Sequence, residues 1–179
     1  MFDCDGVLVD SEPHSRTAWL EVLEGFGHPA TEADIEACTG LGFVSTHEFL
    51  NEIEPIPPSR EVWSSLLEAL GRSFQRGLEV FPDAIAVLDA AIEAGLPVAV
   101  ASASPRQRLD LTLQVADLID RFAVSVAGDE VAAEKPDPAV YLAAIEALDR
   151  FASEVVAIED STAGATSAVR AGLDVIAVA

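Results

Sequence analysis

The chain opens with MFDCDGVLVD, residues 1–10, which places two aspartates two positions apart between an apolar start and a glycine. In a strand, Asp3 and Asp5 would project from one face, but a chain that turns at Gly6 can hold one carboxylate as a nucleophile and the other as an acid. Neighbouring carboxylates repel each other unless a cation lies between them, and their hard oxygen atoms suit Mg²⁺ better than zinc. The stretch therefore predicts a strand that ends in a catalytic turn, although a bare Asp-x-Asp-Gly also occurs in ordinary acidic turns.

Composition limits the classes of function. The 179 residues are 50% hydrophobic, enough for one core-bearing domain of about 100 to 150 residues with a modest insertion. The 31 acidic and 10 basic side chains give a formal charge of −21, which repels nucleic acid and anionic membranes. We therefore expect no nucleic-acid partner, and an anionic substrate must be held by a local group of cations.

The cysteines and the apolar runs indicate a compartment. Cys4 and Cys38 form neither a disulfide framework nor a zinc-ligand spacing, so reduced and buried thiols are expected. The apolar runs are much shorter than the roughly 20 residues of a membrane span, and the sequence shows no leader pattern of charge followed by an apolar stretch. These features predict a cytoplasmic protein without a membrane partner.

Short apolar runs alternate with helical patterns along most of the chain. The runs predicted as strands are Met1–Phe2, Pro97–Ala101, Val124–Ala127, Val155–Ile158 and Val175–Val178. Their hydrophobicity is continuous, as in parallel strands covered on both faces by helices. One helix is predicted from Pro82 to Gly95, and others begin at Ser104-Pro105, Asp137-Pro138 and, with a weaker signal, Ser161. The alternation predicts an α/β fold with a doubly wound, Rossmann-like parallel sheet.

Residues 11–79 interrupt this alternation with helical patterns only. The apolar stripes are Trp19, Leu20, Leu23 and Phe26; Phe49, Leu50 and Ile53; and Val62, Trp63, Leu66, Leu67 and Leu70. We interpret 11–79 as a helical cap inserted after the first strand, above the carboxyl edge of the sheet, and 1–10 with 80–179 as the α/β core. A separate helical domain is less favoured because both ends of the insertion connect to the core.

Three further polar signals follow predicted strands, where ligands bind in open α/β sheets. The segment Ser102-Ala103-Ser104 offers hydroxyls and helix N-terminal N–H groups suited to a phosphate oxygen, although capped helices often look the same. Lys135 precedes Pro136-Asp137-Pro138, whose prolines fix the direction of the backbone. The acidic pair in Glu159-Asp160-Ser161 would be costly beside apolar residues without a cation.

These four signals, in this order and spacing, resemble the haloacid dehalogenase superfamily, and more narrowly its phosphatase and β-phosphoglucomutase-like branch with a small helical cap. The resemblance covers essentially the whole chain. It implies that Asp3 is the nucleophile, that Asp5 is the general acid and base, and that Ser102 and Lys135 hold phosphate. The implied ligands of Mg²⁺ are Asp3, the backbone carbonyl of Asp5, and Asp160, with Glu159 beside them.

The presence of an acid at position 5 distinguishes between two reactions that members of that family catalyse. In phosphoryl transfer, Asp3 would attack phosphorus, and Asp5 would protonate the departing alcohol and later accept a proton from water. Members that cleave carbon–halogen bonds typically lack an acid two residues after the nucleophile. Asp5 therefore indicates phosphate esters.

Substrate contacts are less defined. The candidates are Ser102, Ala103 and Lys135 in the core and Glu12, His14, His47, Arg72 and Arg76 in the cap, where a solvated surface role is an alternative for each. Arg106 and Arg108 are predicted at the rim of the site or on the helix surface, with the surface preferred for Arg108. Phosphoglucomutase members carry a cap arginine after a glycine-containing turn, and the corresponding residues Gly40–Ser45 contain none.

The leading hypothesis is a Mg²⁺-dependent phosphatase for a small phosphorylated metabolite, such as a sugar phosphate, acting as a monomer or weak homodimer. A β-phosphoglucomutase-like isomerase is the alternative. A phospho-accepting receiver module is disfavoured, because in such a module the acidic pair and the phospho-accepting aspartate lie on separate strands and no helical insertion is present. An inactive scaffold is disfavoured by the intact motifs.

Only Met1 and Phe2 precede Asp3 and the chain stops at Ala179, so either the core is trimmed at its ends or its start is mis-assigned.

Overall fold

The computed structural model describes residues 1–39 and 41–178 and divides them into two units. One unit combines Met1–Asp10 with the chain from Glu79 onward, and the other is Ser11–Leu78. Glu79, the last residue of the predicted insertion 11–79, pairs antiparallel with Asp10, and the two units divide between Leu78 and Glu79.

Among the described residues of Ser11–Leu78, all regular secondary structure is helical. Its helices are α1 (Glu12–Gly25), α2 (Glu32–Glu36), α3 (Phe43–Ile53) and α4 (Ser59–Phe74). The predicted residues that the structure buries are Trp19, Leu23, Leu50, Val62, Leu66 and Leu70. Ile53 instead is the last residue of α3 and is 43% exposed. Helices α1 and α4 pack against each other and bury the apolar face of this unit.

A parallel sheet forms the centre of the other unit. The strands of this unit are β1 (Val9–Asp10), β2 (Glu79–Val80), β3 (Ala99–Ala101), β4 (Val124–Val126), β5 (Val156–Glu159) and β6 (Asp174–Ala177). β1 and β2 pair antiparallel with each other, apart from the parallel sheet. β3 pairs in parallel with β4, and β5 with β6. Phe2 joins the two pairs through parallel bridges to Val100 and Ile158, so the order is β4, β3, Phe2, β5, β6. The predicted parallel sheet is confirmed, with the first segment of the chain at its centre.

Four helices flank this sheet: α5 (Pro82–Glu93), α6 (Arg106–Val115), α7 (Ala139–Leu148) and α8 (Thr162–Arg170). The core cluster on the side of α7 and α8 consists of Ala101, Val126, Val140, Tyr141, Ala144, Ile145, Val155, Ala157, Ala168, Ala171 and Leu173. Helices α5 and α6 contribute the fully buried Leu88, Leu109 and Leu113. The inner strand β3 is therefore fully covered, whereas the edge strand β6 stays open to solvent, with Ile176 54% exposed.

Two helix starts differ from the prediction by one residue. Pro105 is extended, with ψ of 152°, so α6 begins at Arg106 rather than at the proline. Pro138 likewise precedes α7 as its cap residue. Ser161, which has the weakest sequence signal, makes a complete cap: its Oγ accepts a hydrogen bond from the N–H of Gly164 at 3.0 Å.

None of the helices among the described residues combines the length and the apolar character needed to cross a bilayer.

Candidate active site

The predicted motif residues of the sheet unit lie at one edge of the sheet. Asp3 follows the central Phe2, Ser102 follows β3, and Asp160 follows β5. Because the carboxyl ends of parallel strands meet at the same edge, these side chains come together. Lys135 reaches the same place from the loop between β4 and α7 and precedes a cis peptide bond to Pro136.

Lys135 is the only lysine in the sequence, and it is buried in the site. Its Nζ donates hydrogen bonds to Asp3 Oδ1 at 2.8 Å, to Glu159 Oε1 at 2.6 Å and to the carbonyl of Ala101 at 3.0 Å. Burial alone would lower the pKa of Lys135, but the charges of Asp3 and Glu159 outweigh it and raise the pKa above its ordinary value. The lysine therefore stays cationic beside the predicted nucleophile.

Tyr141 completes the surroundings of this lysine, and the sequence reasoning missed it. Its hydroxyl donates to Glu159 Oε1 at 2.6 Å, and its ring centroid lies 4.9 Å from Lys135 Nζ. Burial and the charge of Glu159 raise the pKa of Tyr141, so the hydroxyl remains a donor. A tyrosine within the apolar stripe of α7 gives the sequence pattern of a core residue and no signal of this contact.

Glu159 is fully buried and engaged at both oxygens. Oε1 accepts from Lys135 and Tyr141, while Oε2 accepts from Ser161 Oγ at 3.2 Å. A Cβ on Gly164 would lie 1.9 to 2.1 Å from this carboxylate, so only glycine leaves room for it there. These contacts favour Glu159 as the acceptor that holds Lys135 in place.

Asp3 is the most perturbed carboxyl group of the site. Burial raises its pKa to about 7, with the charges of Glu159 and Asp5 adding to the shift and Lys135 opposing it. Burial and the charge of Glu159 also raise the pKa of Asp160. A cation bound between these closely spaced carboxyl groups would offset their negative charge and lower their pKa values.

The donor set fits Mg²⁺. Carboxylate oxygens of Asp3, Glu159 and Asp160 all lie within 4.8 Å of one another, and hard oxygen ligands are those that Mg²⁺ prefers. Gly6 has φ of +81°, and a Cβ there would lie 2.0 Å from Asp160 Oδ2, so the glycine turn makes room for this carboxylate. Since the oxygens of Glu159 are engaged by neighbours, Asp3 and Asp160 are the better placed ligands.

Asp5 has its own partners. Ser104 Oγ donates to Asp5 Oδ2 at 2.7 Å, and Arg108 Nη2 lies 3.2 Å from Asp5 Oδ1. The preference for a surface position of Arg108 was wrong, because the first turn of α6 directs the side chain to this acid and leaves it only 19% exposed. Arg106 instead pairs with Glu130 and Asp110.

The second motif forms a tight turn. Ser102 is fully buried, and its Oγ accepts from the N–H of Ser104 at 3.0 Å, while Ala103 is exposed. The first N–H of α6, at Arg106, donates to Asp129 Oδ1 at 2.8 Å. The expectation that this helix N-terminus faces a phosphate therefore does not hold at Arg106, because Asp129 already accepts its hydrogen bond.

Four of the five candidates in the helical unit have a partner within that unit. Glu12 accepts from Thr39 Oγ1, His14 shares a hydrogen bond with Ser73 Oγ, His47 Nε2 lies 3.0 Å from the carbonyl of Pro57, and Arg72 pairs with Glu21 and Glu68. Arg76 is exposed just after α4. Substrate contact by these residues stays a prediction.

Residues Gly40–Ser45, which correspond to the arginine-bearing stretch of the phosphoglucomutase members, include the aromatic residue Phe43. Gly40 lies outside the described residues. Phe43 stacks on Trp19 with ring centroids 5.8 Å apart and meets Trp63 edge-on at 4.8 Å. Phe43 therefore helps pack the helical unit.

Comparison with known proteins agrees with this geometry. The family model described as haloacid dehalogenase-like hydrolase matches residues 1–178. The chain belongs to this family. Its resemblance to the superfamily is thereby confirmed, together with the α/β fold that the resemblance implied.

Curated relatives and solved structures place it more closely. The phosphorylated carbohydrates phosphatase of Thermotoga maritima is 33% identical over 175 residues, which are 97% of this chain and 81% of that protein. Hexitol phosphatase A of Escherichia coli is 29% identical and matches 99% of this chain and 81% of its own length. The crystal structure of CbbY from Rhodobacter sphaeroides in complex with phosphate superposes with a TM-score of 0.85 at 28% identity, covering 98% of this chain and 83% of that one. This haloacid dehalogenase-like hydrolase is a phosphatase.

Proposed function

We propose that the protein hydrolyses a small phosphorylated sugar in a Mg²⁺-dependent reaction through a phosphoaspartate at Asp3. The observation that carries the proposal is the contact of Lys135 Nζ with Asp3 Oδ1 at 2.8 Å. In a chain of formal charge −21, a phosphate group needs such a local cation. A buried lysine beside a buried aspartate offers both the electrostatic anchor and the nucleophile.

The chain's own residues would divide the reaction as follows. An oxygen of Asp3 attacks phosphorus while the bond from phosphorus to the alcohol oxygen breaks, and Asp5 gives its proton to the departing alcohol. In the second half, Asp5 accepts a proton from water as the water oxygen bonds to phosphorus and the Asp3 oxygen leaves. Lys135 offsets the negative charge of the transferred group in both halves. Mg²⁺, held by Asp3, the carbonyl of Asp5 and Asp160, would neutralise charge on the phosphoryl oxygens.

The relatives support a sugar phosphate as the substrate. One is named for phosphorylated carbohydrates and another for a hexitol, and the CbbY structure was determined with phosphate. We further propose that residues 11–78 determine which sugar is accepted and that the product is free phosphate. The lack of an arginine in Gly40–Ser45 favours hydrolysis over isomerisation.

A panel of sugar phosphates tests the proposal, with released phosphate and product mass measured together. We expect phosphate release with Mg²⁺, its loss in excess EDTA, and no phosphoenzyme in Asp3→Asn. Asp5→Asn should reduce turnover of alkyl phosphates about a hundred- to ten-thousandfold and that of aryl phosphates much less, because an aryl alcohol leaves without much acid assistance.

Asp120→Asn is the charge-matched control. Asp120 is exposed and precedes β4, at the opposite end of the strands from the site, so its substitution should leave turnover unchanged. Activity that persists in EDTA would refute the role of the metal. Isomerised sugar phosphate formed faster than free phosphate would favour the phosphoglucomutase alternative.

A further inference from the structure

The carboxylate of Asp5 is held at both of its oxygens by side chains from one segment. Ser104 Oγ donates to Oδ2 at 2.7 Å, and Arg108 Nη2 lies 3.2 Å from Oδ1. Ser104 lies just before α6 and Arg108 in its first turn, so a single loop and helix start supplies both contacts. The two contacts leave the carboxylate little freedom to rotate.

The ion pair between Arg108 and Asp5 is mostly shielded from solvent. The side chains of Arg108 and Asp5 are only 19% and 27% exposed. Holding a guanidinium out of water is costly unless a charged partner compensates for it, and the carboxylate of Asp5 is such a partner. The placement of Arg108 is therefore explained by Asp5 rather than by solvation of the helix.

Arg106, two residues earlier, shows that the contact is specific. Residues two apart on a helix do not share a face. Arg106 binds Glu130 and Asp110, and its guanidinium also donates to Ser125. The same helix turn thus directs one arginine to the candidate acid and the other to a different acidic pair.

We propose that Arg108, together with Ser104, is a positioning residue that fixes the carboxyl group of Asp5 toward the leaving group. The inference rests on the proposed function, in which Asp5 transfers the proton. Because only poor leaving groups need that proton, misplacing Asp5 should slow alkyl phosphates more than aryl phosphates. A residue needed only for folding would slow both classes equally.

The test compares kcat and KM of Arg108→Met and Arg106→Met on an alkyl phosphate and on p-nitrophenyl phosphate. For Arg108→Met we expect kcat on the alkyl substrate to fall about ten- to a hundredfold, with a change of less than about threefold on the aryl substrate. Arg108→Lys should be intermediate, and added guanidinium ion should restore part of the alkyl activity of Arg108→Met. Arg106→Met should affect both substrates to the same extent.

Two further variants keep the inference falsifiable. In Asp5→Asn, adding Arg108→Met should cause no additional selective loss, because the group that Arg108 positions is already disabled. If Arg108→Met does not fold, Ser104→Ala removes the other contact and should show the same preference for aryl over alkyl substrates.

The outcomes separate the two claims. A wild-type protein that releases no phosphate from these substrates or from the panel of sugar phosphates refutes the proposed function, and the inference falls with it. An active wild type with equal losses on both substrates in Arg108→Met or Ser104→Ala overturns the positioning role alone. Absence of guanidinium rescue together with equal losses would assign Arg108 to folding.

Discussion

Replacing Gly164 by alanine tests whether the buried carboxylate of Glu159 must stay where it is. Gly164 lies in the first turn of α8 and packs directly on Glu159. Glu159 in turn accepts hydrogen bonds of 2.6 Å from Lys135 and from Tyr141. A methyl group at position 164 therefore acts on the lysine of the site through one intervening side chain.

The size of the effect follows from the close approach. The added Cβ would lie 1.9 to 2.1 Å from the Glu159 carboxylate, while real Cβ contacts essentially never fall below 3.0 Å. Helix and carboxylate must therefore separate by about 1 Å, and such overpacking typically costs about 1 to 3 kcal/mol. For a chain of this length, a loss of 1 kcal/mol lowers Tm by about 2 to 4 °C. A displacement of about 1 Å near the reacting groups can cost about a hundredfold in rate.

The assay combines thermal unfolding with kcat/KM for phosphate release. Gly25→Ala is the matched control, because Gly25 is also helical and has no atom within 4 Å of an added Cβ. We expect Gly164→Ala to lose both stability and activity, and Gly25→Ala to keep activity with unchanged or slightly raised Tm. Wild-type Tm and turnover in Gly164→Ala would refute the argument that Glu159 has to occupy its present position.

Two predictions concern the same cluster. Tyr141→Phe removes the hydroxyl that donates to Glu159, so the free energy of unfolding in urea should fall by about 1 to 3 kcal/mol, and an unchanged urea midpoint would contradict this. Because burial raises the pKa of Asp3 to about 7, Mg²⁺ has to displace a proton from Asp3 below that pH. Its apparent affinity should therefore rise about tenfold per pH unit up to about pH 7 and level off above it. Calorimetry in buffers of different ionisation enthalpy should detect the released proton at about pH 6, and a pH-independent affinity below 7 would count against Asp3 as a ligand.

The sequence predicted those features that local patterns control. Continuous apolar runs fit strands buried on both faces, and the sheet is parallel as expected. Asp3, Ser102 and Asp160 follow their strands directly, so the strand direction brings them to one edge. Lys135 reaches the same edge because the loop that carries it starts at the end of β4.

Features that depend on tertiary packing could not be predicted in this way. The antiparallel pair β1 and β2 is two residues long in each strand, too short for any periodicity. Arg108 has the composition of a surface residue, and only the approach of the first loop to α6 gives it Asp5 as a partner. Tyr141 has the pattern of a core residue, and its hydroxyl acquires a role because Glu159 is buried beside it.

The charges of the site connect these observations. Three carboxyl groups, Asp3, Glu159 and Asp160, meet a single lysine, so full ionisation would leave two uncompensated negative charges in a largely buried place. The raised pKa values of Asp3 and Asp160 are the response of the protein alone, since protonation removes charge that nothing else balances. One divalent cation would supply the missing two positive charges and free Asp3 to act as a nucleophile. Because proton and cation compete for the same oxygens, the pH dependence of Mg²⁺ affinity directly measures whether this balance of charge controls metal binding.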